Sequence, residues 1–205
     1  YYLSFCRSAT SSVDSTVINH DSDFCVIEGV YENEDGDELD IYTGMKRGVK
    51  KRFRRNKKDY KRLSEHIGLI PLIMISPSDT YLIEGASDER RRLMDVVISQ
   101  TDATYLQALS RYNKALKNKN NILSGINFGY DLSKIIPQTE SWNTVLAAEG
   151  LNVTYGRLKY FSQLEDLASQ LYKELSGGEN LTLKYYSSIF DTTELKCEEI
   201  NGLYN

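Results

Sequence analysis

The sequence is poor in the residues that build compact chemical sites. It has two histidines, His20 and His66, at no metal-ligand spacing, so no Ser-His-Asp or Cys-His set suggests itself. Its three cysteines, Cys6, Cys25 and Cys197, are odd in number, widely spaced and outside any C-x-x-C. That pattern favours reduced thiols in a cytoplasmic protein over a disulfide framework or a zinc site. No apolar run approaches the roughly 18 residues of a membrane helix, so no membrane partner is expected. There is no internal repeat and no low-complexity tract. There is also no G-x-x-x-x-G-K-[ST] loop, and no apolar run ending in paired acids that could hold magnesium. As it stands, the chain lacks the parts for phosphoryl transfer, and no catalytic residue or metal ligand is assigned. The sequons at Asn152 and Asn180 matter only in a secreted chain and are read as chance.

What is present is ordinary in total and uneven in distribution. Apolar residues make up 40% and charged residues 26% of 205, which suits a globular chain of one domain or one and a half. The net charge is −4, but residues 46–62 hold eleven Lys/Arg and one acid. That block is +10, and the remaining residues carry 14 of the 25 bases and 28 of the 29 acids. Residues 24–31 are β-branched and aromatic, and Asp35-Gly36 marks a hairpin turn to a return strand at 38–43. A turn over Gly44–Gly48 leads to a third strand, 49–55, with Val49, Lys51 and Phe53 on one face and Lys50, Arg52 and Arg54 on the other. The run 70–75 (IPLIMI) reads as a short strand buried on both faces.

Helical signals dominate from there. Ser76-Pro77-Ser78-Asp79 starts a helix with an N-cap serine, proline at N1 and an acid at N3. A second helix is expected over 88–100. A third carries a seam of Tyr105, Leu109, Tyr112, Leu116 and Leu123, with Lys119 in the missing seam position. A long fourth helix is expected after Pro137, with its stripe at Leu158, Phe161, Leu164, Ala168, Leu171 and Leu175, stopped by Gly177 and Gly178. Alternation at Leu181, Leu183 and Tyr185 predicts a returning strand, and 192–203 is weakly helical.

Three features could carry chemistry. Leu175-Ser176-Gly177-Gly178-Glu179 is similar to the LSGGQ signature of ABC ATPases, where the glycines precede a helix that meets a phosphate. Here a helix precedes and a strand is expected to follow, so a C-cap is the better reading. Arg90, Arg91 and Arg92 stand near a helix start, where cations oppose the macrodipole. Either Arg91 pairs with Asp95 at i,i+4, or a guanidinium captures phosphate or carboxylate. For Lys119, the preferred reading is a packed stem with a snorkelling ammonium. The basic block could blunt a sheet edge, but eleven bases exceed that need and point to phosphate or an acidic partner. The candidate DNA contacts are Lys46, Arg47, Lys50, Lys51, Arg52, Arg54, Arg55, Lys57 and Lys58.

The stretch Ser76–Leu123 resembles the middle of the RecF family, bacterial recombination and repair ATPases of the SMC-like ABC class. The matching residues are Ser76, Pro77, Asp79, Gly85, the Arg90–Arg92 run, Asp95, Tyr105, Leu109, Tyr112, Leu116 and Asn120, with Trp142 in the following helix. Residues 1–8 (YYLSFCRS) resemble the segment after the family's Walker A helix. Ser78, Ser87 and Lys119 depart from a usual Glu, Pro and Arg, and Lys119 loses the bidentate fork. In the family, the region of Leu175–Glu179 is the end of an arm helix.

The resemblance implies an α+β fold that is part of an α/β ABC-type ATPase head: an antiparallel β meander plus an inserted helical arm with a returning strand. Residues 1–75 would be the outer part of the ATPase lobe, 76–178 the arm, and 179–205 the return strand and the start of the next lobe segment. It further implies an internal piece of a longer protein, with Walker A before Tyr1 and the signature and Walker B after Asn205. The parent would bind ATP and magnesium, dimerise on ATP, bind gapped or single-stranded DNA, and help load RecA with RecO and RecR. The piece itself would be inactive and hold no cofactor. A different class of function is a non-catalytic helical module whose basic hairpin takes an acidic protein partner. A free-standing ABC enzyme using Ser176–Gly178 would instead turn over ATP.

Overall fold

The computed structural model describes residues 1–125 and 132–187, less the side chains of Leu132 and Lys134. The chain divides into two compact units. The first comprises Tyr1–Gly85 with Ser99–Ala103, and the second comprises Ala86–Ile98 with the residues from Thr104 onward.

The first unit is built on an antiparallel sheet ordered β1-β2-β3-β4. Its strands are Phe24–Glu32, Glu38–Lys46, Val49–Arg55 and Lys58–Asp59. Alternation decides the faces, because successive side chains of a strand point to opposite sides. Ile41, Thr43 and Met45 of β2 and Phe53 of β3 point inward and are buried. They pack with Tyr2 and Leu3 of the short helix α1 (Tyr2–Phe5), with Cys6 and with Ile18. The first hairpin runs as expected, with Glu32 opposite Glu38 and Gly36 at positive φ in the turn. The second is tighter than the sequence suggests. Pairing continues through Gly44 to Lys46, with a register irregularity between them, so the turn shrinks to Arg47 and Gly48.

Two apolar or alternating segments expected as strands are not strands. Residues 71–75 pair with no strand among the described residues, and Ile73 and Ile75 are 82% and 86% exposed. A strand buried on both faces needs a neighbour on each side, and the four-stranded sheet does not include this run. It is anchored at its start, where Ile70 O accepts from Ser4 Oγ at 2.5 Å and the Leu72 amide donates to Gln100 Oε1 at 2.8 Å. Likewise 179–187 has no strand assignment. Leu181 instead accepts a hydrogen bond from Ser169 at 2.8 Å, and the Tyr185 ring meets Phe161 edge-on at 5.6 Å. The expected helix over 192–203 lies outside the described residues.

The Ser76–Asp79 capping box is present: the Ser76 amide donates to Asp79 Oδ2 at 2.6 Å. It opens a single 3-10 turn, Pro77–Thr80, and a short α2, Tyr81–Glu84. The second unit holds α3 (Ser87–Thr101, its last residues grouping with the first unit), α4 (Ala103–Ser124) and α5 (Leu132–Leu175). Pro137 lies inside α5 rather than before it. It lies one turn into the helix, where it gives up one backbone hydrogen bond, and the helix continues through it.

Within this unit α4 and α5 run antiparallel, since Tyr105 packs on Gly156 and Tyr112 on Gly150. A Cβ on Gly156 would lie 2.4 Å from the Tyr105 ring, so this close approach requires glycine. The expected seam holds at Tyr105, Leu109 and Tyr112, which pack in the helical core, and shifts beyond them. Ala108 and Ala115 are buried, while Leu116 and Leu123 are 37% and 36% exposed. The stripe on α5 also fades toward its end: Leu158, Phe161 and Leu164 are half-buried, but Leu175 is exposed. Gly177 and Gly178 stop the helix at positive φ as expected, with the Gly178 amide bonded to Lys173 O at 2.9 Å. No helix among the described residues is long and apolar enough to cross a membrane.

Candidate nucleic-acid interface

The basic block folds into β3, its flanking turns and β4, and the fold sorts its cations into committed and open groups. Lys51 turns inward. Its ammonium donates to Cys6 O at 2.5 Å and pairs with Asp14 at 2.9 Å. Tyr2 also donates to Asp14, at 2.6 Å. Burial works against the Asp14 charge, yet these bonds hold its carboxyl below its ordinary range. Burial pushes the neighbouring Cys6 thiol up to about 12, with Lys51 opposing. Lys51 is thus part of the interior of this unit rather than an outward contact.

Arg47 is also committed. Its guanidinium donates to the carbonyls of Ile18, Asn19 and Ser22, tying the loop before β1 to the β2–β3 turn. On the outward face Arg52 grips Asp59 through two hydrogen bonds of 2.7 and 2.6 Å. Arg54 reaches the same carboxylate at 3.3 Å and lies 5.0 Å over the Tyr42 ring. Asp59, the block's single acid, is held well below the usual carboxylate range, chiefly by Arg52. The open cations then fall at two ends of the sheet. Lys46 and Lys50 flank the β2–β3 turn, while Arg55, Lys57 and Lys58 surround the β3–β4 turn; all five are exposed. Five strand steps separate Lys50 from Arg55, roughly 16 Å at the usual rise.

Of the family-motif residues, Asp95 joins elements of the second unit. Asp95 does not pair with Arg91. It receives both arms of Arg157, at 2.8 Å each, from 62 residues away, and it also accepts the Tyr105 hydroxyl. Burial opposes the Arg157 charge, but its bonds to Asp95 outweigh that and raise its pKa. Burial, then Asp95, raises that of Tyr105. Arg91 instead turns back to Ser87 Oγ at 2.9 Å and to Asp88, while Arg90 and Arg92 are exposed. That choice relieves the helix-start problem, since Asp88 and Glu89 supply the favourable charge there. Lys119 is half-buried and Asn120 exposed on α4; Gly85 ends α2. Arg157 was not legible from spacing. The indirect signals are Gly150 and Gly156 inside a helical stretch, where glycine costs about 1 kcal/mol and marks a close approach.

One further site escaped the sequence reading. His66 is fully buried, with Nδ1 2.8 Å from the Tyr60 hydroxyl and Nε2 2.5 Å from Leu3 O. Only a proton on Nε2 lets it donate to the carbonyl while accepting from Tyr60. Burial lowers its pKa, so folding favours the neutral ring. The unfolded chain then binds the proton more readily. The stabilisation is complete above the unfolded value of about 6.5 and is lost as pH falls below it, by at most about 1.4 kcal/mol per pH unit. Protection factors of the α1 amides, corrected for the intrinsic pH dependence of exchange, should therefore fall on going from pH 7 to 5, and in His66→Gln that fall should flatten. An unchanged pH slope in the variant would exclude this role.

No family model matches the chain. Curated relatives do. It is 46% identical over 189 residues to the DNA replication and repair protein RecF of Phocaeicola vulgatus, covering 91% of this chain and 49% of that one. With RecF of Bacteroides thetaiotaomicron the identity is 45% over 197 residues, 96% of this chain and 52% of that one. With RecF of Bacteroides fragilis it reaches 62% over 123 residues, 60% of this chain and 33% of that one. Among solved structures, the recombination mediator protein RecF of the RecFOR pathway, with ATP and with ATPrS, superposes at a TM-score of 0.84. Identity there is 26%, over 98% of this chain and 53% of the other.

The class is thus an α+β segment of an ABC-type ATPase head, an antiparallel sheet with helices. Within that class the chain belongs to the RecF family, and it spans about half the length of the curated relatives it matches.

Proposed function

We propose that the chain is an internal segment of a RecF-like DNA repair and recombination protein whose intact form is switched by ATP and binds DNA at gaps. The observation that carries this reading is the match to RecF proteins over 96% of the chain, together with the likeness to RecF solved with ATP. The chain's own residues do not fit a nucleotide phosphate site. It has no G-x-x-x-x-G-K-[ST] loop, and Gly177-Gly178 caps a helix end instead of opening a helix. Among the described residues no cluster of His, Cys, Asp or Glu could hold a metal. On this reading, ATP and magnesium binding, ATP-dependent dimerisation and work with RecO, RecR and RecA belong to the intact parent. A gene that lacks a G-x-x-x-x-G-K-T upstream of Tyr1 would remove the proposal.

DNA binding by the basic block is tested with the open cations, since the committed ones would perturb the fold. Neutralising Lys46, Lys50, Lys57 and Lys58 to Gln should weaken binding to a gapped duplex and lower the slope of log K against log salt by up to about 3.6, at about 0.9 per phosphate contact. A slope that does not change removes DNA from this face and favours an acidic protein partner, whose pull-down would then depend on the same lysines.

A further inference from the structure

The outward face of the sheet brings one open aromatic ring together with open cations. Phe24 begins β1 and is 66% exposed, and its cross-strand partner is Lys46. Val26, two residues on and on the same face, is 44% exposed and sits opposite Gly44, over which the Tyr42 ring edge lies. Lys50 is exposed near the β2–β3 turn, one residue beyond Val49, which pairs with Lys46. Elsewhere on the face the combination is already spent. The Tyr42 ring is covered by Arg54, and both Arg54 and Arg52 are held by Asp59. Arg47 is tied to backbone carbonyls.

An exposed phenylalanine beside two open lysines fits one kind of ligand better than others. A base stacks on an aromatic face whatever its sequence, while neighbouring ammonium groups neutralise the flanking phosphates. A duplex presents no free base face, so it would use the lysines and leave the ring idle. An acidic peptide would likewise gain little from the ring.

We infer that Phe24, with Lys46 and Lys50 beside it, is a stacking platform for an unpaired base of single-stranded DNA. This rests on the nucleic-acid reading of the basic block and adds to it a preference for unpaired strand. Phe24 is exposed at the strand start, so its replacement leaves the buried core intact.

The test compares the unaltered chain with Phe24→Ala, Phe24→Trp and the pair Lys46→Gln/Lys50→Gln. Each is titrated against a labelled oligodeoxythymidine of about 15 nucleotides and against a duplex of the same length. Phe24→Ala should weaken the single strand about tenfold and leave the duplex within about twofold, while Phe24→Trp should hold or tighten the single strand. The lysine pair should weaken both ligands and lower both salt slopes. If Phe24→Ala leaves the single strand within about twofold while the lysine pair weakens it, the platform is overturned and the basic-block reading stands. If neither ligand responds to the lysine pair, both fall.

Discussion

Arg157→Ala is expected to destabilise the helical unit by about 3 kcal/mol, because it leaves the Asp95 carboxylate desolvated without its bidentate partner. Side-chain exposure is 17% for Arg157 and 19% for Asp95, so neither charge is compensated by water when the other is removed. Urea unfolding followed by the fluorescence of Trp142, the chain's single tryptophan and a residue of α5, measures it. The double variant Asp95→Leu/Arg157→Met should recover most of the loss, since an apolar pair of similar volume often matches a buried ion pair. A residual cost of about 1 kcal/mol should persist from the Tyr105 hydroxyl, which then lacks its acceptor. A single-variant cost below about 1 kcal/mol would show that the pair behaves as an exposed one.

Gly68→Ala should cost at least as much in the sheet unit. Gly68 has φ +89°, a region where an L side chain costs about 1–2 kcal/mol. A Cβ there would also lie 2.2 Å from the carbonyl oxygen of Gln100, which as backbone cannot swing aside. Gln100 in turn anchors Leu72, so the displaced segment is the one leading into the capping box. Gly48→Ala is the control, with φ +72° and open space around its Cβ. The two variants, compared by thermal unfolding, should differ by about 2 kcal/mol or more, and equal melting points would rule out the clash as a cause.

The residues that were legible in advance are those whose signal is local. The two hairpins follow from alternation and Asp35-Gly36, the capping box from Ser76 and Asp79, and the end of α5 from Gly177-Gly178. The family likeness was legible for a related reason, since its residues cluster in Ser76–Leu123. The failures share a cause as well. The runs 70–75 and 181–186 have strand composition, but strand pairing depends on what lies alongside, and none of the sheet's four strands does. Pro137 reads as a boundary because an interior proline weakens a helix, yet α5 runs through it, one lost backbone hydrogen bond being small against a helix of 44 residues.

Sequence alone determined the periodicities, the caps, the turns, the concentration of charge in 46–62, and the family. Tertiary structure decided which partner each group takes. Asp95 has an arginine four residues before it in sequence, yet it bonds one 62 residues away because α3 and α5 bring them together. Helix packing follows the same logic: Gly150 and Gly156 let α5 approach Tyr112 and Tyr105 of α4, and Ala108 and Ala115 are buried where Leu116 and Leu123 are not. The +10 block also divides along these lines. Periodicity placed its residues on a strand, but only folding set Asp59, the Cys6 carbonyl and the 18–22 loop against four of its cations, leaving Lys46 and Lys50 open beside Phe24. Local order is written in neighbouring residues, whereas charge is neutralised by whatever the fold brings within a few ångströms.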